Sequence, residues 1–267
     1  MKQRIRITVQ DHVATVMLDR ATKRNAVDLE MFDAFLRARD ELAGTPEIRA
    51  VVLHGDGPDF CAGIDISVFA GQGIGADGPD IIAPLGNSAA NIVQSAALVW
   101  RQLPVPVIAA LSGAAYGAGL QIAMGADLRV AAPDVRLSVM EVRWGLIPDM
   151  AITNTFRHVV RQDYVRELVY TGRIVAAKEA LDMGLVTRVS EDPLSVATDI
   201  AAEIANKSPD AVRAAKQLIN ESWDDDPDNA LRREASLQHA VLAGGNQREA
   251  ARANLEKRPP EFTDLPI

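Results

Sequence analysis

Asp59-Phe60-Cys61-Ala62-Gly63-Ile64-Asp65 and Leu111-Ser112-Gly113-Ala114-Ala115-Tyr116-Gly117-Ala118-Gly119-Leu120 decide how this chain is read. Each stretch passes from a short apolar strand pattern through small residues into a helical pattern. Turns of this kind leave backbone N–H groups pointing outward at a helix N-terminus, where the helix dipole favours negative charge. Two of them facing one point predict an oxyanion hole built from main-chain donors, a place for a carbonyl oxygen that takes up charge. Gly117 and Gly119 flank Ala118 and leave its backbone open to a close ligand. Alone, that Gly-Ala-Gly turn reads equally well as tight helix–strand packing; beside the first turn, the site reading is favoured.

Working outward, residues 3–9 and 12–19 alternate apolar and polar and predict a β-hairpin. Asp28 is placed to cap a helix whose apolar face is Met31, Phe32, Phe35 and Leu36. Short apolar runs at 50–54 and 107–111 read as buried strands, with further strands at 128–131 and 137–139. Helices are expected at 89–102 and 119–124. Others follow at 152–171, 176–183, 193–206, 209–222 and 228–256. Residues 69–87 hold five Gly and two Pro, the composition of a long loop beside a site. Strands paired with helices over the first 190 residues predict stacked ββα units followed by a helical region.

The 267 residues are 48% hydrophobic and 24% charged, enough for a large core. A net charge of −8 argues against a nucleic-acid surface and gives no reason for attraction to anionic membranes. Cys61 is the only cysteine, which excludes an internal disulfide and any thiolate-rich metal site. His12, His54, His158 and His239 are scattered without metal-ligand spacing, so no metal is expected. With no signal core and no membrane-spanning run, a cytoplasmic setting is the expectation.

In this arrangement the chain resembles the crotonase superfamily, the enoyl-CoA hydratases and isomerases. Asp19-Arg20-Ala21-Thr22-Lys23-Arg24-Asn25-Ala26 is similar to that family's first CoA-binding turn, and the two stretches quoted above are similar to its oxyanion turns. Leu255-Glu256-Lys257-Arg258-Pro259-Pro260-Glu261-Phe262 is similar to its closing helix. The resemblance implies an α/β crotonase-type superhelix of ββα units over 1–195 and a helical oligomerisation region over 196–267. The implied assembly is a homotrimer or hexamer. It implies that Ile64 and Ala118 donate the oxyanion N–H groups, with Ala62, Gly63 and Gly117 shaping the turns and Asp65 capping the helix after the first. The ligand implied is an acyl-CoA, with coenzyme A part of the substrate and no separate cofactor. Lys23 or Arg24 would meet a CoA phosphate, and Lys257 the nucleotide end across a subunit boundary.

Enolate chemistry also needs a proton carrier. Hydratases of the family carry two glutamates; the matching positions here are Gln121 and Glu141. Gln accepts and donates hydrogen bonds but is no general base, so Glu141 is the principal candidate. Eight residues on, Asp149 stands where the dienoyl-CoA isomerases resemble this chain in having an acid; a helix cap at Asp149 is the plainer alternative. The expectation is an isomerase that moves a C=C bond through a thioester enolate. A hydratase with Gln121 holding water is the nearest rival, and an acyl-CoA-binding protein without turnover a rival of another class.

Overall fold

The computed structural model describes residues 3–70 and 80–264, without the side chains of Phe69 and Ala70. Half of the expected loop at 69–87 therefore falls in 71–79, outside the described residues. The strands are β1 (Ile5–Gln10), β2 (Val13–Leu18), β3 (Ala50–Gly55), β4 (Val107–Leu111), β5 (Ala114–Tyr116), β6 (Leu128–Ala131), β7 (Arg136–Ser138), β8 (Val175–Ala176) and β9 (Arg188–Val189). The helices are α1 (Leu29–Ala43), α2 (Ser67–Ala70), α3 (Ile92–Gln102), α4 (Ala118–Met124), α5 (Ile152–Thr155), α6 (Gln162–Thr171), α7 (Ala177–Met183), α8 (Pro193–Ala205), α9 (Pro209–Ser222), α10 (Pro227–Ala243) and α11 (Gly245–Glu256).

Two sheets run side by side. The larger has the order β1-β2-β3-β4-β6-β9, antiparallel between β1 and β2 and parallel thereafter. The smaller is β5-β7-β8, parallel then antiparallel. β4 and β5 are separated by Ser112 and Gly113 alone, so the chain changes sheet at that point. Gly113 takes φ +54°, and a Cβ there would strike the Pro58 carbonyl, so only glycine makes this corner without strain.

Both faces of the larger sheet are covered. On one, Phe32, Phe35 and Ala38 of α1 meet Ala96, Val99 and Trp100 of α3 within the main core, and the Phe35 and Trp100 rings pack edge to face at 5.8 Å. On the other, Ala197, Ala201 and Ala205 of α8 lie against Val52, Ile108, Ala110 and Val130. The division expected at 195/196 falls inside α8, and this small-residue face makes the helix part of the sheet layer.

Local chemistry explains several element ends. Asp28 caps α1 by accepting the Met31 N–H at 2.9 Å. Asn91 and Gln94 form a reciprocal capping box that starts α3 three residues later than its apolar pattern suggests. The helix expected over 152–171 is broken into α5 and α6, and that over 228–256 into α10 and α11 at Gly244.

α9 is anchored by Lys216, whose ammonium donates to the Trp100 and Val105 carbonyls at 3.0 and 2.8 Å and to Asp127 Oδ2 at 2.8 Å. The same carboxylate oxygen accepts the Val107 N–H at 2.7 Å, so one buried lysine ties the C-terminal helices to the start of β4. Removing one partner of a buried, hydrogen-bonded ion pair strands the rest. Lys216→Met should therefore lower the unfolding free energy by about 3 kcal/mol, read as a fall in the urea midpoint.

Candidate active site

The two turns named at the outset converge. Cys61 pairs with Ala115 as a parallel bridge, the Cys61 N–H donating to Ala114 O at 2.9 Å and the Tyr116 N–H to Cys61 O at 3.0 Å. Val27 receives the first turn: its N–H donates to Gly63 O and its carbonyl accepts the Asp65 N–H, both at 2.8 Å. That leaves the Ile64 N–H on the opposite side. Ala118 opens α4, so its N–H has no intrahelical acceptor. Among the described residues, no main-chain or side-chain acceptor takes either hydrogen.

Glycine makes the approach possible. Gly63 has φ +100°, and a Cβ there would lie 2.9 Å from Tyr116 O and 4.0 Å from Ala118 N. Gly117 has φ +51°, and a Cβ there would lie 3.2 Å from Glu141 Oε1. At Gly119 a Cβ would run into the Cys61 carbonyl and side chain.

A cavity of about 450 Å³ lies over these groups, lined by Lys23, Ala62, Gly63, Ile64, Asp65, Tyr116, Gly117, Ala118 and Glu141, and by Ala26, Ile66, Ser67, Met140, Trp144 and Leu146. Its wall is mainly apolar, as a small-molecule site requires.

Glu141 begins a single 3-10 turn, Glu141–Trp144, after β7. Its Oε1 accepts from Gln121 Nε2 at 2.6 Å, while its Oε2 is buried with no protein partner among the described residues. Burial pushes the carboxyl above the ordinary glutamate range; the hydrogen bond from Gln121 opposes this, and the nearby Asp149 charge adds to it. Asp65 is its opposite. It accepts from Ser67 Oγ at 2.7 Å and Ser67 N at 3.0 Å, pairs with Arg20 at 2.7 Å, and is held down to about 2. It therefore caps the turn after the first stretch as an ionised side chain. Burial sends the Cys61 thiol up to about 12, which leaves it inert.

Four expected site residues, Arg24, Lys257, Gln121 and Asp149, are not among those that line the cavity. Arg24 turns away from the cavity and grips Asp59 with two bonds, at 2.7 and 3.0 Å; Asp59 in turn accepts the Ala114 N–H at 2.8 Å. Its role is to brace the second turn, because a bidentate pair with a nearly buried carboxylate outweighs a solvated charge. Lys257 sits at the end of α11 in a left-handed conformation, outside the residues that line the cavity. Gln121 is fully buried behind Glu141 and also lines no part of it. Asp149 does not cap a helix: α5 starts from Ala151, with no side-chain cap. Asp149 is exposed at its surface, yet the protein packed about its carboxyl still raises its pKa by desolvation.

Sequence reasoning missed Tyr116, Met140, Trp144 and Leu146. The signal was available for three of them, since Tyr116 precedes Gly117, Met140 precedes Glu141, and Trp144 follows Glu141 by one helical turn. Arg20, which pairs with Asp65 at 2.7 Å and also reaches Asp28 at 3.2 Å, was legible only as part of a turn. Among the described residues no group of three His, Cys, Asp or Glu side chains is placed to hold a metal, and no helix is long and apolar enough to cross a membrane.

Two free amides and a half-buried carboxylate in one apolar cavity can stabilise charge on a carbonyl oxygen while a proton moves beside it. A family model described as enoyl-CoA hydratase/isomerase matches residues 8–265, and this chain belongs to that family. It is 35% identical over 263 residues to a protein named probable enoyl-CoA hydratase in Mycobacterium tuberculosis, spanning 97% of this chain and 98% of that one. It is 31% identical over 265 residues to the mitochondrial delta(3,5)-delta(2,4)-dienoyl-CoA isomerase of Mus musculus, spanning 94% of this chain and 79% of that one. A crystal structure of enoyl-CoA hydratase from Mycobacterium tuberculosis H37Rv superposes with a TM-score of 0.87 at 27% identity, over 99% of this chain and 100% of that one. The fold is the crotonase fold that the resemblance implied, and the protein is an enzyme of this acyl-CoA family. Relatives at about this identity carry both hydratase and isomerase names.

Two predictions follow from this geometry. Gly119→Ala forces a methyl group into the Cys61 carbonyl, so the paired turns must part; we expect thioester turnover to fall by a hundredfold or so, on the scale of losing one oxyanion donor. The folded state holds the Glu141 carboxyl above its unfolded pKa, so it favours the protonated form. That contribution is present at low pH and is lost as pH rises through the folded pKa. Glu141→Gln should accordingly raise the melting temperature at pH 8 more than at pH 5, measured by calorimetry.

Proposed function

We propose that this protein is an enoyl-CoA isomerase that moves a C=C bond of a 3-enoyl- or 3,5-dienoyl-CoA through a thioester enolate. Glu141 removes the proton from C2 of the acyl group, and the electron pair delocalises onto the thioester oxygen and along the chain. The Ile64 and Ala118 amides receive the developing oxyanion. The proton then returns at the far end of the delocalised system, at C4 in a 3-enoyl substrate, leaving the double bond conjugated with the thioester. Asp149 assists at the remote end of a diene, where a second carboxylate of raised pKa suits proton exchange.

The observation that carries this reading is the pairing at Glu141. Of the two carboxylates lining the cavity, Asp65 is neutralised by Arg20, and Glu141 faces an amide. A single uncompensated carboxylate can pick up and return one proton, which is what isomerisation needs. Two-acid hydration would want a second proton carrier at position 121, and an amide supplies none. Lys23 at the mouth of the cavity is the better placed of the two basic candidates for a CoA phosphate, since Arg24 is held by Asp59. Lys257 fits the nucleotide end only from a neighbouring subunit. Ile219, Leu231, Leu242 and Leu255 stand exposed on α9–α11, with Trp223 just past the end of α9, which supports a homotrimer or hexamer joined through those helices.

Glu141→Gln should abolish isomerisation of 3-enoyl-CoA and 3,5-dienoyl-CoA, followed by the absorbance of the conjugated product; undiminished turnover refutes the reading. The relatives named hydratases support a second reading, in which water beside Glu141 adds to a 2-enoyl-CoA. Mass spectrometry of crotonyl-CoA after incubation separates the two, because hydration alone adds the mass of water. Gln121→Glu should raise any such hydration, by restoring the second acid.

A further inference from the structure

The Gln121 side chain lies fully buried between two partners. Its Nε2 donates to Glu141 Oε1 at 2.6 Å, and its Oε1 accepts the Met150 N–H at 3.0 Å. These partners fix the amide's orientation, since a carboxylate can only accept and a main-chain N–H can only donate. Met150 ends a segment bounded by two left-handed residues, Gly145 at φ +69° and Ala151 at φ +59°, and that segment carries Asp149. One carboxamide thus joins α4, the proposed base and the chain that follows it.

We propose that Gln121 is the positioning residue of this site: it holds one oxygen of Glu141, leaves the other for the substrate proton, and registers the base against the 145–151 segment. The proposal rests on Glu141 being the base. Gly117 supports it from the other side, because a side chain there would press on the Oε1 atom that Gln121 holds. The free atom is Oε2, buried and without a partner among the described residues.

A donor to the ionised form favours ionisation, so Gln121 works against the burial that raises the Glu141 pKa. The other charges about the cavity do not replace it. Asp149 acts in the same direction as burial. Asp65 on the opposite wall is paired with Arg20. Lys23, exposed, lines the cavity on its own side, as does the half-buried Tyr116. Without Gln121, the base should be ionised over a narrower range of pH and swing on its own side-chain torsions.

The test uses the full-length protein with its glutamates labelled at the side-chain carboxyl carbon with 13C. The Glu141 resonance is assigned by its loss in Glu141→Gln. Gln121→Met keeps the length and fills the space but removes both hydrogen bonds. We expect the Glu141 titration midpoint to move to higher pH. Isomerase kcat should fall about 10- to 100-fold, the scale of a hydrogen bond to a charged group, with KM nearly unchanged. The acidic limb of the kcat profile should move to higher pH with the NMR midpoint. Gln121→Glu provides a second reading should the Met variant fail to fold: the two carboxyls should titrate as one coupled pair. An unmoved Glu141 midpoint in folded Gln121→Met, or independent titrations in Gln121→Glu, overturns the inference and leaves the reading of Glu141 standing. Full turnover by Glu141→Gln overturns that reading instead, and the NMR midpoint still reports whether Gln121 governs the ionisation.

Discussion

The short parallel pairing of Cys61 with Ala115 is the constraint on which the cavity depends. It is two main-chain hydrogen bonds long, yet it fixes both amides, because Ile64 lies three residues beyond Cys61 and Ala118 three residues beyond Ala115. The close approach of Gly63 to Tyr116 O and Ala118 N, 2.9 and 4.0 Å from where a Cβ would stand, brings the two turns together beyond that pairing. The surroundings leave the pairing little freedom. Asp59 takes the Ala114 N–H and is held by Arg24, the Asn25 amide donates to the Asp56 and Asp59 carbonyls, and Gly119 lies against the Cys61 carbonyl. Main-chain donors positioned this way need no rearrangement when charge develops, which is the source of their advantage over water.

The strands and helices with a full apolar period were legible in the sequence. β1 and β2 alternate in sequence, β3 and β4 are short continuous apolar runs bounded by Gly or Pro, and α1 buries a helical stripe, each a pattern that a sequence shows by itself. What escaped were elements without a stripe of their own. β5, β8 and β9 are two or three residues long, and their pairing is dictated by neighbours remote in sequence. The break between α5 and α6 sits in a stretch whose composition is still helical. The pair Gly244-Gly245 was visible and is a turn signal, but it stands inside a run with no Pro whose composition on both sides is helical, and the reading over 228–256 passes through it.

For the candidate site, the quoted turns named the backbone and missed much of the wall. Ile64, Ala118 and Glu141, the positions that the resemblance implied, line one cavity. Arg24 could not be assigned from sequence, because its alternative partner, Asp59, comes near only through the fold. The same holds for the contrast between Asp65 and Glu141. Both are acids beside a turn, but one meets a serine and an arginine while the other meets burial and an amide. The fold separates their ionisation in opposite directions, and such a separation is how one cavity can hold a fixed negative charge and a proton carrier together.

The amide at position 121 also bears on why one scaffold serves more than one reaction. A carboxyl of the same length would face the Met150 N–H, which favours its ionised form, and Glu141 at a hydrogen-bond distance, which disfavours a second charge. The two acids would have to share a proton, and a shared proton is a ready supply for activating water at one group while protonating carbon from the other. An amide keeps both hydrogen bonds and the same geometry but has no proton to exchange near neutral pH. The scaffold, the amide donors and the cavity are indifferent to that exchange of oxygen for nitrogen; the number of mobile protons is not. On the proposed reading, a side-chain atom behind the base selects the reaction, and the features that make the fold recognisable do not.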